Sequence, residues 1–228
     1  MQLLFFTDLH TGNVGEYPHH VDLRKNFTDL LREISQHHFD YLIIGGDLCL
    51  QSGDVAIYQW QKEQLDALKK PYFIIAGNHD NQLLLCEVFE ACVLAGNEEI
   101  YFSKIWDGIP VLFLDTGRGS MSGQQKEWLR TTLKGAVDTP VVIFMHHPPL
   151  LMQVPHMDRQ YALEDREEIQ SILQETPNPK HIFCGHYHVE KNAFQGNVSV
   201  TVTPSLFFQI EQFNSDFAID HFNIAYRS

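Results

Sequence analysis

The chain has 228 residues, 44% of them hydrophobic and 20% charged, with a formal net charge of -13. That composition fits a globular protein of one domain, residues 1–228. The acidity argues against a general nucleic-acid binder, which needs a basic stripe, and no apolar run approaches the ~18–20 residues of a membrane span.

In chain order, residues 2–7 are apolar without a basic leader and read as a first strand rather than a signal peptide. Residues 21–37 carry Leu23, Phe27, Leu30, Leu31 and Ile34 at helical spacing. A strand over 41–44, a helix over 54–69, a strand over 72–76 and a helix over 83–94 follow. Residues 100–115 read as a hairpin turning at Asp107-Gly108, with strand 111–114 as its second arm. Ser122 and Gln125 resemble a capping box opening a helix through Leu133. Strands over 141–145 and 181–184 enclose a helix over 163–174, with Ile169, Ile172 and Leu173 on one side. The segment 148–160 is the longest irregular one. After His188 only strand-like runs remain, over 189–194, 198–203, 206–210 and 217–226, with a hairpin turn at Gln195-Gly196-Asn197. Alternating strand and helix predicts an α/β layered fold with mixed sheets. The four cysteines, at 49, 86, 92 and 184, show no paired spacing, which suits a reducing cytoplasm better than a disulfide framework.

Five short polar motifs sit just after apolar runs: Asp8-Leu9-His10, Gly46-Asp47, Gly77-Asn78-His79-Asp80, His146-His147 and Gly185-His186-Tyr187-His188. Each alone has a bland reading. Asp8 and His10 read as a strand-end cap, Gly46-Asp47 as a turn, and Asn78-His79-Asp80 as the cap of the next helix. Together, at the carboxyl ends of successive strands where α/β sheets bind ligands, they outweigh it. Their oxygen and nitrogen donors, with no thiolate, suit divalent Mn, Fe or Zn. Asp8 and His10 are two apart, as are His186 and His188, so in extended chain each pair points to one side. His37, His38, His181 and His221 read as structural or exposed. His147 and Asp80 read as neighbours of ligands, and His19, His20 and His156 as residues near the rim.

The order D-x-H, G-D, G-N-H-D, H-H and G-H-x-H resembles the calcineurin-like metallophosphoesterase superfamily, across residues 8 to 188. The resemblance implies a four-layer αββα sandwich. It also implies one metal held by Asp8, His10, Asp47 and His188, and a second held by Asp47, Asn78, His146 and His186. Asp47 would bridge the two, and His79 would meet the leaving group. Two cations roughly 3.5–4 Å apart clamp a phosphoryl group, and a water between them loses a proton near neutral pH and becomes the nucleophile. Such ions also reverse the sign of an acidic surface locally. A proton donor such as His79 helps an alkoxide depart.

The protein phosphatases of the superfamily carry an arginine-glycine extension after Gly-Asp and a Glu after Asn-His; this chain has Leu48-Cys49-Leu50 and Asp80. Two further stretches resemble the class III, bacterial-type cyclic AMP phosphodiesterases. One is His146-His147-Pro148-Pro149 with Met157-Asp158 and Leu163. The other is Thr203-Pro204-Ser205, Phe208-Gln209, Ser215-Asp216-Phe217 and Tyr226-Arg227. The implied reaction is hydrolysis of 3′,5′-cyclic AMP to 5′-AMP. The alternatives are a broader phosphodiesterase or phosphomonoesterase acting on glycerophosphodiesters or nucleotides, and a binding module that lost catalysis. The last is disfavoured because every ligand position is filled. The expected partner is a small phosphoester, with no stable nucleic-acid binding and no membrane. Tyr17, His20 or the loop over 149–160 are candidate nucleoside contacts, and homo-oligomer formation stays open.

Overall fold

The computed structural model of the protein describes residues 1–90 and 94–228. Its first part alternates strand and helix: β1 (Leu3–Phe6), α1 (Leu23–Ile34), β2 (Tyr41–Ile44), α2 (Val55–Ala67), β3 (Tyr72–Ile74) and α3 (Gln82–Val88). The three strands form a parallel sheet in the order β1-β2-β3. The middle supplies β4 (Phe102–Trp106), β5 (Ile109–Leu114), α4 (Gly123–Lys134), β6 (Val141–Met145), α5 (Pro155–Gln160), α6 (Arg166–Gln174), β7 (Lys180–Cys184), β8 (Lys191–Gln195) and β9 (Val198–Val202). Their strands form a mixed six-stranded sheet ordered β4-β5-β6-β7-β9-β8. A two-stranded ribbon, β10 (Gln209–Ile210) with β11 (Ile219–His221), completes the described elements.

Side-chain alternation along the strands builds four layers. Leu4, Phe6, Leu42 and Ile44 pack with Phe27, Leu30, Ile34 and Leu65 of the first two helices. Phe5 and Ile43, one residue out of phase, instead meet Val111, Phe113 and Phe144 of the second sheet. The outer face of that sheet buries Leu112, Leu114, Ile143 and Ile182 under Leu129, Leu133, Ile169 and Leu173. The result is the expected αββα sandwich. Its middle seam is aromatic: ring centroids lie 5.3 Å apart for Phe5–Phe144, 5.5 Å for Phe113–Phe144 and 5.6 Å for Phe144–Phe183. Such pairs favour tilted or offset contacts; Phe5–Phe144 joins the two sheets, while the other two pairs run along the inner face of the second.

Local chemistry sets the element ends. Asp22, Asp54, Asn81 and Ser122 each cap a helix by accepting a backbone N–H. The capping box at Ser122 is only half formed. Gln125 N donates to Ser122 Oγ at 3.1 Å, but Ser122 N donates to Glu99, and the Gln125 amide turns to the Asp115 backbone. Asp107 (φ 50°) and Gly108 (φ 77°) make the two-residue turn between β4 and β5, where both torsions must be left-handed.

Three expectations change. The helix over 83–94 gives way to the shorter α3, because Phe89 is extended and buries its ring against Tyr58 and Tyr72; residues 91–93, including Cys92, lie outside the described residues. The irregular segment contains α5, opened by Pro155 at its first turn. The strands over 206–210 and 217–226 shrink to β10 and β11. The chain near its end does reach β1, where Phe5 N and Arg227 O lie 2.9 Å apart and Arg227 N and Phe5 O 2.8 Å. The Arg227 guanidinium also donates to Thr203 Oγ1 and Val202 O, tying one sheet to the other.

Lys180, the first residue of β7, is fully buried with its ammonium on the Thr176 carbonyl, and among the described residues no carboxylate pairs with it. Burial pushes it down from 10.5 to about 8. The folded state therefore carries the whole cost of the charge below pH 8. Between about 8 and 10.5 the unfolded chain binds more protons, so this group's contribution to stability rises with pH. Lys180→Met is expected to stabilise the fold by about 1–3 kcal/mol at pH 7 and to flatten that rise, as read by denaturant melts at pH 7 and pH 10. A destabilised variant would contradict the assignment.

Candidate metal centre

Five strand ends deliver the motif residues to one place. Asp8 and His10 follow β1, Asp47 follows β2, Asn78 and His79 follow β3, His146 follows β6, and His186 and His188 follow β7. Both sheets thus contribute. The expectation that each two-apart pair points one way in extended chain does not hold. Asp8 (φ 55°), His10 (φ 46°), Asp47 (φ 51°), His186 (φ 67°) and His188 (φ 50°) are all left-handed. The side chains converge because the backbone turns sharply there, at a cost of roughly 1–2 kcal/mol per residue. Backbone bonds between the loops hold these torsions: Asp8 N to Gly46 O at 3.0 Å, His10 N to Asp47 O at 2.9 Å, and Leu206 N to Asp8 O at 3.1 Å.

Two glycines permit this approach. A Cβ on Gly77 would lie 2.2 Å from Asp47 Oδ1, and one on Gly185 would lie 2.3 Å from Asp8 Oδ2. Asp8 in turn accepts from His186 N at 3.0 and 3.1 Å.

Six of the seven predicted ligands are brought together, and all six are buried. His10 Nε2 and His188 Nε2 lie 3.0 Å apart. His188 Nε2 is 3.3 Å from Asp8 Oδ1. Asp47 Oδ2 is 3.3 Å from His146 Nε2 and 3.7 Å from His10 Nε2. The donors fall into overlapping groups: Asp8, His10 and His188; His10, Asp47 and His79; and Asp47, His146 and His186. Asp47 is common to two of them. The seventh, Asn78, is exposed and lines the same cavity as His10, Asp47, His186 and His188.

Outer hydrogen bonds fix the ring tautomers. His146 Nδ1 donates to Gly45 O at 2.8 Å and His188 Nδ1 to Phe208 O at 3.0 Å, which turns Nε2 of each ring inward. His186 Nε2 donates to Tyr161 O at 2.9 Å, leaving Nδ1 for the cluster. His146 Nε2 is buried without a hydrogen-bond partner. Imidazole lone pairs facing carboxylate oxygens repel unless a cation lies between them, so the residues present fit divalent metal.

The electrostatics agree. Burial opposes ionisation of Asp8, yet His188 and His146 hold it down to about 2; Asp47 is likewise held well below the usual range by His146. Burial lowers His10 to about 3 and, with His146, lowers His186 to about 4. Burial also opposes charge on His146, but Asp47 and Asp8 outweigh it and raise that ring to about 10, a proton there occupying the place a cation would take. The set is thus ionised carboxylates and mostly neutral rings, the protonation states that metal binding requires.

His79 donates its backbone N–H to Asp47 Oδ1 at 2.8 Å, and its ring stands edge-on to His10 at 5.0 Å. Asp80 ties two ligand loops together by accepting from Leu48 N at 3.1 Å, Gly77 N at 2.9 Å and the Tyr58 hydroxyl at 2.9 Å. Burial and then Asp47 push its carboxyl up to about 7. His147 is buried against His186, with ring centroids 3.9 Å apart. Among the suggested nucleoside contacts, His156 and Met157 line the cavity, whereas Tyr17 lines a different one beside α1. Sequence reasoning did not pick out Tyr161, Phe207, Phe208 and Phe217 as cavity walls. The only available signal was that Phe208 and Phe217 lie in stretches outside the metal motifs.

Among the described residues no helix is long and apolar enough to cross a membrane. The "Probable cyclic nucleotide phosphodiesterase" of Fibrobacter succinogenes is 34% identical over 206 residues, covering 90% of this chain and 79% of that protein. The 3′,5′-cyclic adenosine monophosphate phosphodiesterase CpdA of Vibrio vulnificus is 29% identical over 229 residues, covering 96% and 81%. In fold the chain is similar to a dimetal phosphatase from Danio rerio, with a TM-score of 0.74 at 13% identity, over 97% of this chain and 92% of that one. The family model described as calcineurin-like phosphoesterase matches residues 1–190, and the chain, a metal-dependent phosphoester hydrolase, belongs to that family.

Proposed function

We propose that this chain hydrolyses 3′,5′-cyclic AMP to 5′-AMP with two divalent cations. Asp8, His10, Asp47 and His188 would hold one, and Asp47, Asn78, His146 and His186 the other. The convergence of six buried donors, Asp47 among them, carries the reading, and the names of the relatives from Fibrobacter succinogenes and Vibrio vulnificus support the choice of ester. When bound, the cations polarise the phosphoryl oxygens and make water a competent nucleophile near neutral pH.

The chain's own residues do the rest. Asp47 orients both halves of the site, and the Gly45 and Phe208 carbonyls keep the His146 and His188 rings aimed inward. The two carboxylates leave the doubly divalent site net positive, which favours a phosphate. His79 stands beside the ligands and donates a proton to the departing O3′. We place the enzyme in the cytoplasm, in keeping with the buried thiols of Cys49 and Cys184.

His79→Ala is expected to lower kcat on cyclic AMP by about 10²–10⁴-fold. Its effect on bis(p-nitrophenyl) phosphate should be much smaller, since p-nitrophenolate departs without a proton. Equal losses on the two esters would remove His79 from the proton-donor role. A substrate panel at defined Mn, Fe and Zn loading tests the ester itself. Rapid turnover of a monoester with none of cyclic AMP would defeat the proposal.

A further inference from the structure

Aromatic rings form an unbroken horseshoe from one candidate ligand histidine to another. His188 lies 4.9 Å from Phe208, Phe208 meets Phe217 edge-on at 5.7 Å, Phe217 lies 5.6 Å from His156, and His156 lies 5.5 Å from Tyr161. Tyr161 closes the curve through its carbonyl, which accepts from His186 Nε2. The cavity so bounded has a volume of about 290 Å³, the small end for ligand pockets.

Three features of this wall bear on what it receives. Phe217 and Tyr161 are half exposed, at 49% and 48%, so their rings present open apolar surface beside a polar centre. His156 is buried at 6% exposure between Phe217 and Tyr161, which fixes its ring in the wall. No Lys or Arg is among the described residues that line the cavity. A polynucleotide backbone or a second phosphate would find no counter-charge away from the metal cluster. A glycerol group would leave the rings bare.

We infer that the horseshoe seats a single nucleobase on the alcohol side of the phosphodiester. The base lies against Phe217 and Phe208, with His156 and Tyr161 bounding its far side. Stacking on an aromatic ring tolerates any base, because every base has a π face. The wall therefore selects nucleoside esters against glycerophosphodiesters. This rests on the phosphodiesterase reading and adds which residues choose the ester.

Phe217 stands at the rim, where truncation removes contact with the base and little core packing. Two measurements on the metal-loaded chain test the assignment. Adenosine carries the base without a phosphate, and saturation-transfer NMR should detect its binding to the native chain and to Phe217→Tyr, but not to Phe217→Ala. In kinetics, Phe217→Ala should raise KM for cyclic AMP about 5- to 150-fold, with kcat within about twofold and glycerophosphoethanolamine turnover unchanged. Undiminished adenosine binding in Phe217→Ala, or an equal KM change on both esters, would overturn the inference. Adenosine binding that depends on Phe217 in an enzyme unable to hydrolyse cyclic AMP would uphold the slot and overturn the substrate proposal.

Discussion

Asp47→Asn is expected to empty both cation positions at once. Asp47 Oδ1 accepts from His79 N, while Oδ2 faces His146 Nε2 at 3.3 Å and His10 Nε2 at 3.7 Å, so one carboxylate spans both donor groups. Asparagine keeps the shape, loses the charge, and presents N–H hydrogens where a cation or a ring nitrogen needs an acceptor. Metal per chain, read by plasma mass spectrometry, should fall from about two to below one. A cation is worth several kcal/mol to the transition state, so kcat/KM should fall about 10³-fold or more. The metal-free variant should also melt lower than native, because the His146 ring loses the buried carboxylate that faces it at 3.3 Å. The rise in Tm on adding metal should shrink, since that rise reports binding to the folded state alone. Near-normal activity would end the shared-ligand assignment.

Gly185→Ala should be nearly as damaging, although it removes no ligand. The new methyl group would lie 2.1 Å from Thr7 Oγ1 and 2.3 Å from Asp8 Oδ2, closer than real contacts allow, so the loops after β1 and β7 must separate. Overpacking of this kind costs about 1–3 kcal/mol of stability. A displacement near 1 Å in a positioned site costs about 10²-fold in rate. Gly123→Ala is the control, because a Cβ there meets nothing within 4 Å. Thermal melts and kcat/KM for the two variants decide the matter, and a Gly185→Ala enzyme within twofold of native would show that the approach relaxes freely.

The donor set was readable because metal binding demands particular atoms. Asp, Asn and His recur at strand ends, and six of the seven named positions converge. What was misread is how they converge. The left-handed torsions at Asp8, His10, Asp47, His186 and His188 replace the extended geometry inferred from spacing. Sequence periodicity reports on strands and helices, and says little of the turns between them. α1 was legible from its apolar stripe, since Leu23, Phe27, Leu30, Leu31 and Ile34 are all buried. α3 was cut short by the tertiary burial of Phe89, which no local pattern announces. The aromatic wall was hidden for a similar reason: Phe207 and Phe208 sit in a run that reads as strand, but line the cavity just before β10.

The separation of ligands along the chain has a consequence for the timing of assembly. His10 and His188 touch although they stand 178 positions apart in sequence, and the loop bearing Asp8 is held by the backbone of Leu206. At synthesis rates of about 5–20 residues per second, the first ligands wait roughly 10–40 s for the last. During that interval β1, β2 and β3 are available to pair while the aromatic residues of the second sheet that cover them are still arriving. No nascent chain shorter than about 190 residues holds both halves of the donor set. Completion of the site is therefore a late event in the life of each molecule, and a ribosome stalled midway leaves a chain with Asp8, His10 and Asp47 made but without His146, His186 and His188, so that neither half is complete.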